Sequence, residues 1–183
     1  MGSAQLSTIN PESERLLELA ERLGWAVAER GCVLVTGATS GYPAVVSRAA
    51  RSRKGLTIGI SPASTLDEHV SRYALPEDAA DTIIYTGFGL KGRNVINIRS
   101  SDVVIIFGGG IGTLNELTIA WDEGKVVGVL EGTGGVTNQV EAILSLESRR
   151  KDSNIGESSL LQRDANPELL VDACLQAWHR QNT

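Results

Sequence analysis

Several things are scarce in this chain, and each scarcity excludes a class of protein. Only two cysteines occur in 183 residues, Cys32 and Cys174, and their spacing fits neither a metal knuckle nor a redox pair. Two isolated histidines, His69 and His179, leave no ligand set for zinc, so no metal site is expected. No apolar run is long enough to span a bilayer, and the start lacks a signal-peptide pattern. The expected setting is therefore cytoplasmic, with no membrane partner. Basic residues are outnumbered: 17 Lys and Arg against 22 Asp and Glu give a formal net charge of -5. Such a balance disfavours nucleic acid as a partner. Length and an ordinary 42% hydrophobic content fit one domain over 1–183 with a core of its own.

Glycine, by contrast, is abundant and concentrated. The apolar run Val103–Phe107 stops at Gly108-Gly109-Gly110-Ile111-Gly112, and a helical pattern follows from Thr113. Strand, glycine-rich turn and helix in that order build a seat for phosphate. Glycines allow close approach of backbone amides, and the helix start adds unpaired N–H groups and a positive dipole end. The turn lacks the Gly-Lys-Ser/Thr ending of a P-loop, and only two glycines fit the G-x-G-x-x-G dinucleotide spacing.

The remaining pattern alternates helices and strands. Asn10-Pro11 opens a helix that Gly31 closes. Strands are expected at Cys32–Thr36, Leu56–Ile60, Thr82–Tyr85, Val103–Phe107 and Val126–Leu130, with a last short one near Ser159–Gln162. Helices are expected at about 43–52, 90–100, 113–123 and 138–148, with a final one capped by Asn166-Pro167. Ser61–Asp81 shows no sustained period and reads as a long loop. Arg149–Glu157 is charged and reads as a mobile connection. The alternation predicts an α/β fold: a Rossmann-like, doubly wound parallel sheet flanked by helices. Its first strand is missing from the chain start, because Gly2-Ser3 looks like the loop that follows such a strand. The expectation is that five to eight apolar residues precede Gly2 in the natural protein, since a missing central strand leaves two sheet edges unpaired.

Candidate site residues follow from the topology, which gathers successive strand-to-helix turns at one sheet edge. Gly108, Gly109, Gly110, Ile111, Gly112 and Thr113 form the phosphate seat. Arg93 offers a planar fork for a phosphate or a carboxylate, and Asn94 lies beside it. Glu116 either completes a Thr113-x-x-Glu116 capping box or acts on a sugar next to the phosphate. Gly2, Ser3, Ser40, Gly41, Thr133 and Gly134 lie on turns at the same edge and join the expected ligand contacts. Trp121 is expected in the core or in subunit packing.

Gly108-Gly109-Gly110-Ile111-Gly112-Thr113-Leu114-Asn115-Glu116 and the helix carrying Arg93 resemble the LOG family of Rossmann-like proteins. That family's Pro-Gly-Gly-x-Gly-Thr-x-x-Glu places its proline on Gly108 and its active-site glutamate on Glu116. Its Arg-Lys pair falls on Arg93 and Asn94. Family enzymes release free base and ribose 5-phosphate from cytokinin nucleoside 5′-monophosphates, which would make Arg93 and Glu116 catalytic. Gly92-Arg93-Asn94 and Glu131-Gly-Thr-Gly-Gly135 are more similar to a branch that includes molybdenum-cofactor carriers, which hold a pterin monophosphate without chemistry. The resemblance thus implies a carrier for a phosphorylated small molecule, either molybdopterin or a nucleoside monophosphate, with no cofactor required for its work. The alternative it implies is a nucleotide phosphoribohydrolase. It also implies a homodimer or higher homo-oligomer.

Overall fold

The computed structural model describes residues 11–146 and 160–183. Gly2 and Ser3, the strand expected ahead of them, and the connection Arg149–Glu157 lie outside these residues. The chain begins with α1 (Pro11–Glu29), which Gly31 terminates at a φ of 67°. β1 (Leu34–Thr36), α2 (Tyr42–Ser52), β2 (Thr57–Ser61) and β3 (Thr82–Tyr85) follow. Next come α3 (Gly89–Arg99), β4 (Val103–Ile106), α4 (Ile111–Asp122) and β5 (Val126–Leu130). A 3₁₀ turn (Gly135–Gln139), the short α5 (Val140–Leu144), β6 (Leu161–Asp164) and α6 (Pro167–Asn182) complete it.

All pairings are parallel, in two sets: β1-β2-β3 and β4-β5-β6. Among the described residues no strand joins β1 to β4. Helix α1 packs against α2 and α6, and α3 packs against α4. This is the helix-covered parallel sheet of the α/β class, with β5 buried along its whole length. Ile106, Leu117, Val127, Leu130 and Leu170 lie at its centre, with Trp121 in the same core.

Most element boundaries agree with the sequence pattern to within two residues. Asn166 caps α6 as its residue type predicts, its side chain accepting from the Leu169 amide at 3.0 Å. The segment 61–81 departs from the expected loop, because it contains a helical turn ending in the π-turn Glu68–Arg72. A polar anchor holds that turn. His69 is fully buried, with Nδ1 2.8 Å from Ser61 Oγ and Nε2 3.1 Å from the Pro76 carbonyl. A carbonyl only accepts, so Nε2 carries the proton and the Ser61 hydroxyl donates to Nδ1. The helix expected at 138–148 is the 3₁₀ turn followed by α5, and its far end falls outside the described residues.

Candidate functional site

Helix α4 begins at Ile111, two residues before the expected start, with Gly110 at the cap position and no side chain capping it. Its first-turn amides therefore lack intrahelical partners, and Gly110, Ile111 and Gly112 are exposed. Gly108 and Gly109 take φ values of 53° and 85°, so both need glycine. A Cβ on Gly109 would lie 2.0 Å from Thr113 Oγ1, which places the buried Thr113 side chain directly beneath the loop.

A second glycine segment braces the first from behind. Thr133 Oγ1 accepts the Gly108 N–H at 2.9 Å and donates to the Leu130 carbonyl at 2.6 Å. The Val136 N–H donates to the Gly109 carbonyl at 3.0 Å. A Cβ on Gly135 would lie 2.2 Å from that same carbonyl oxygen. Gly134, by contrast, faces open space. The bond to Thr133 also accounts for Gly108 where the LOG motif carries proline. Proline has no N–H to give and cannot reach a φ of 53°.

Glu116 does not close a capping box. The box requires the threonine at the cap position, and the early start of α4 places Thr113 inside the helix. Glu116 Oε1 instead accepts from Arg93 Nη1 at 3.1 Å. Both side chains are more than nine-tenths buried. The same Nη1 donates to Asn94 Oδ1 at 3.0 Å, while Asn94 Nδ2 donates to Asn115 Oδ1 at 2.8 Å. Asn94 thus ties α3 to α4 where the LOG motif has lysine. Arg93 Nε is buried and has no hydrogen-bond partner among the described residues. Burial pulls the Arg93 pKa below its ordinary value, and the Glu116 carboxylate opposes that shift.

Gly37, on the turn after β1, makes room for this pair. A Cβ there would lie 2.2 Å from Arg93 Nη2. Arg93 thereby links the turns after β1, β3 and β4. Ser40 and Gly41, on the same loop as Gly37, border a separate groove with Val70, Leu75 and Pro76. The sequence reading left out Gly37 and Lys91. Lys91 Nζ approaches the start of α4, 3.9 Å from where a Gly112 Cβ would stand. A lysine in the first turn of the neighbouring helix was the signal available for it.

This geometry defines a class: a Rossmann-like protein with an uncapped, glycine-rich helix start beside a buried arginine–glutamate pair. The chain belongs to the SLOG cluster4 family, whose model matches residues 1–167. It is 38% identical over 117 residues to the cytokinin riboside 5′-monophosphate phosphoribohydrolase of Mycobacterium tuberculosis. That alignment covers 63% of this chain and 59% of the mycobacterial protein, so the chain spans less than two thirds of that relative. Among solved structures it is similar to the molybdenum cofactor carrier protein of Chlamydomonas reinhardtii, with a TM-score of 0.73 and 28% identity. That match covers 98% of this chain and 95% of the algal one. The molybdenum cofactor binding protein of Rippkaea orientalis gives a TM-score of 0.70 and 30% identity, over 100% of this chain and 94% of that one. Among the described residues no helix is long and apolar enough to cross a membrane, and no cluster of metal-ligating side chains occurs.

Proposed function

We propose that this protein binds and carries a small molecule ending in a single phosphate, and that the ligand class is the pterin monophosphate of the molybdenum cofactor. The phosphate sits against the amides of Gly109–Thr113, with Lys91 as its cation. Backbone donors and the helix dipole supply the rest of the attraction. Exposed Phe88 and Ile111, 67% and 74% accessible, offer apolar surface to the heterocycle beside it. Gly134 leaves space on the other side.

The observation that carries this reading is the closed Arg93–Glu116 pair. A glycosidase-type reaction needs a carboxylate free to meet the sugar as the bond breaks. Here Oε1 of that carboxylate is engaged by the Arg93 guanidinium, and Asn94 holds Arg93 in place. The pair forms a rigid floor for a bound molecule. The similarity to two molybdenum-cofactor-binding structures over nearly the whole chain supports the same choice. A cytoplasmic homo-oligomer accords with this role.

Two measurements test it. Native mass spectrometry of protein purified from its own host is expected to reveal a bound pterin phosphate. The purified protein is expected to release negligible ribose 5-phosphate from adenosine monophosphate or its N6-prenylated form. Steady release that disappears in Glu116→Gln would establish the phosphoribohydrolase reading, which the similarity to the mycobacterial enzyme supports. Replacing Lys91 by alanine is expected to weaken ligand binding by about 1.5–3 kcal/mol, the range for a charge-assisted hydrogen bond.

A further inference from the structure

Two open hollows, of about 550 and 620 Å³, lie along the outer face of α2. Arg48 lines both, so they adjoin and form one groove. The groove begins at Ser40 and Gly41, on the sheet edge that carries the glycine loops. It ends at Lys54, Gly55 and Leu56, where the chain enters β2 at the opposite edge. Residues 70–81 form its other wall. The Ser47 hydroxyl donates to the Ala79 carbonyl at 2.6 Å and holds that wall against the helix. The two halves differ in chemistry. Beyond Ser40 and Gly41 the first half is aliphatic, with Val70, Leu75 and Pro76 facing Ala44, and Val70 is 44% exposed. The second half is basic, lined by Arg48, Arg51 and Lys54.

The charges in that second half do not balance. Asp81 is the only carboxylate lining either hollow among the described residues. It accepts from the Thr57 amide and hydroxyl, both at 2.9 Å, and pairs with Arg51 at 3.0 Å. Arg51 stands in the last turn of α2, where its charge also complements the helix dipole. Arg48, a turn earlier, and Lys54 have no side-chain partner among the described residues. By contrast Arg22, Arg30, Arg72 and Arg99 each meet a carboxylate. Two bare cations beside an aliphatic strip, on a chain of net charge -5, suit an acidic and partly apolar occupant. A nucleic acid strand wants a longer run of cations and aromatic platforms for its bases. No aromatic ring lines either hollow. From Gly41 to Lys54 the groove follows the helix for about 20 Å at the α-helical rise. That is the length of about six residues of extended chain. We propose that this groove docks an acidic, extended segment of a partner protein. One aliphatic side chain of the segment packs on Val70, Leu75 and Pro76, and its carboxylates meet Arg48 and Lys54. The proposal does not depend on which molecule the glycine loop holds.

The test uses the full chain and an array of labelled synthetic octapeptides. Each carries one Leu, Ile or Val and a pair of Glu, at every spacing and in both orders. Fluorescence anisotropy is expected to find peptides that bind, and to lose them when Gln replaces both Glu. Lys54 takes a φ of 61°, which glycine adopts freely, so Lys54→Gly removes the cation without backbone strain. Combined with Arg48→Ala, it is expected to weaken the bound peptides about tenfold, the loss of two exposed ion pairs. The melting temperature should stay where it is. Val70→Ser should weaken the same peptides about threefold through lost apolar contact. Absence of binding by every peptide at about 1 mM overturns the proposal. So does binding that survives the paired substitutions at Arg48 and Lys54. A single-stranded oligonucleotide that binds more tightly than every peptide, and is lost on the same substitutions, assigns the groove to nucleic acid. A dimer seen by sedimentation that the substitutions dissolve assigns it to a second copy. Either result equally overturns it.

Discussion

Replacing Glu116 by glutamine separates two accounts of that residue by energy alone. As the end of a capping box, glutamine would serve as well as glutamate, and stability would hardly change. The structure gives Glu116 a different task, as counter-charge to a guanidinium with only 9% of its side chain exposed. Glutamine keeps an oxygen able to accept from Arg93 Nη1 but removes the negative charge. The loss is then that of the counter-charge alone, with the hydrogen bond kept, and falls below the roughly 3–5 kcal/mol of a broken buried pair. Alanine removes the acceptor as well and strands a buried cation, at about 3–5 kcal/mol. Urea denaturation followed by circular dichroism measures both, with the slope m checked for constancy. In a chain of this size each kcal/mol shifts the melting temperature by about 2–4 °C. A double-mutant cycle with Arg93→Met isolates the pair, because the cost of Glu116→Gln should largely vanish once the guanidinium is gone. A Glu116→Gln protein within about 0.5 kcal/mol of the parent, the ordinary scatter of surface substitutions, refutes the ion-pair account.

Three further outcomes follow from the same geometry. Thr133→Val should cost about 1–3 kcal/mol in urea unfolding, because it strands the buried Gly108 N–H, and should weaken inorganic phosphate binding measured by calorimetry. Gly37→Ala should drive the Arg93 guanidinium off Glu116 and cost about 1–3 kcal/mol, as overpacking does; an unchanged melting temperature would show that Arg93 has room to move. In acid, Glu68 is held down at about 2, first by the Ser64 hydroxyl and then by the Ser64 amide and Arg72. Asp81 is lowered in the same sense by Thr57. Carboxylates depressed in the folded state add stability that is present above their unfolded values and lost as the pH falls. Melting temperature should therefore decline between about pH 4.5 and pH 2, and a flat profile there contradicts these contacts.

The helices and strands were legible because apolar spacing and capping residues are local signals. Asn166-Pro167 and Gly31 marked their helix ends correctly on residue type alone. The glycine loop was legible for the same reason. Three features were not. The turn around His69 is held by Ser61 and the Pro76 carbonyl, and no periodicity records a bond between buried polar groups. The spacing Thr113-x-x-Glu116 matched a capping box, but the helix starts earlier, and only the partner on α3 shows what Glu116 does. Gly37 looked like any turn glycine, because its role depends on a guanidinium that reaches it from a distant helix. The second glycine segment was read as ligand surface. Its Thr133 also bonds the Gly108 N–H and the Leu130 carbonyl.

Gly135 packs against Gly109, whose backbone leaves no space there for a side chain. Gly135 cannot gain a carbon unless the Gly109 segment retreats, and Gly108 is likewise bound to Thr133. In descent, then, the two segments form a single inherited character despite their separation along the chain. A lineage that exchanged Gly108 for proline would release Thr133 from its bond, and the sequence around Gly132–Gly135 would be free to drift. Comparing the residue at 108 with that at 133 across relatives should sort them into two groups with few intermediates.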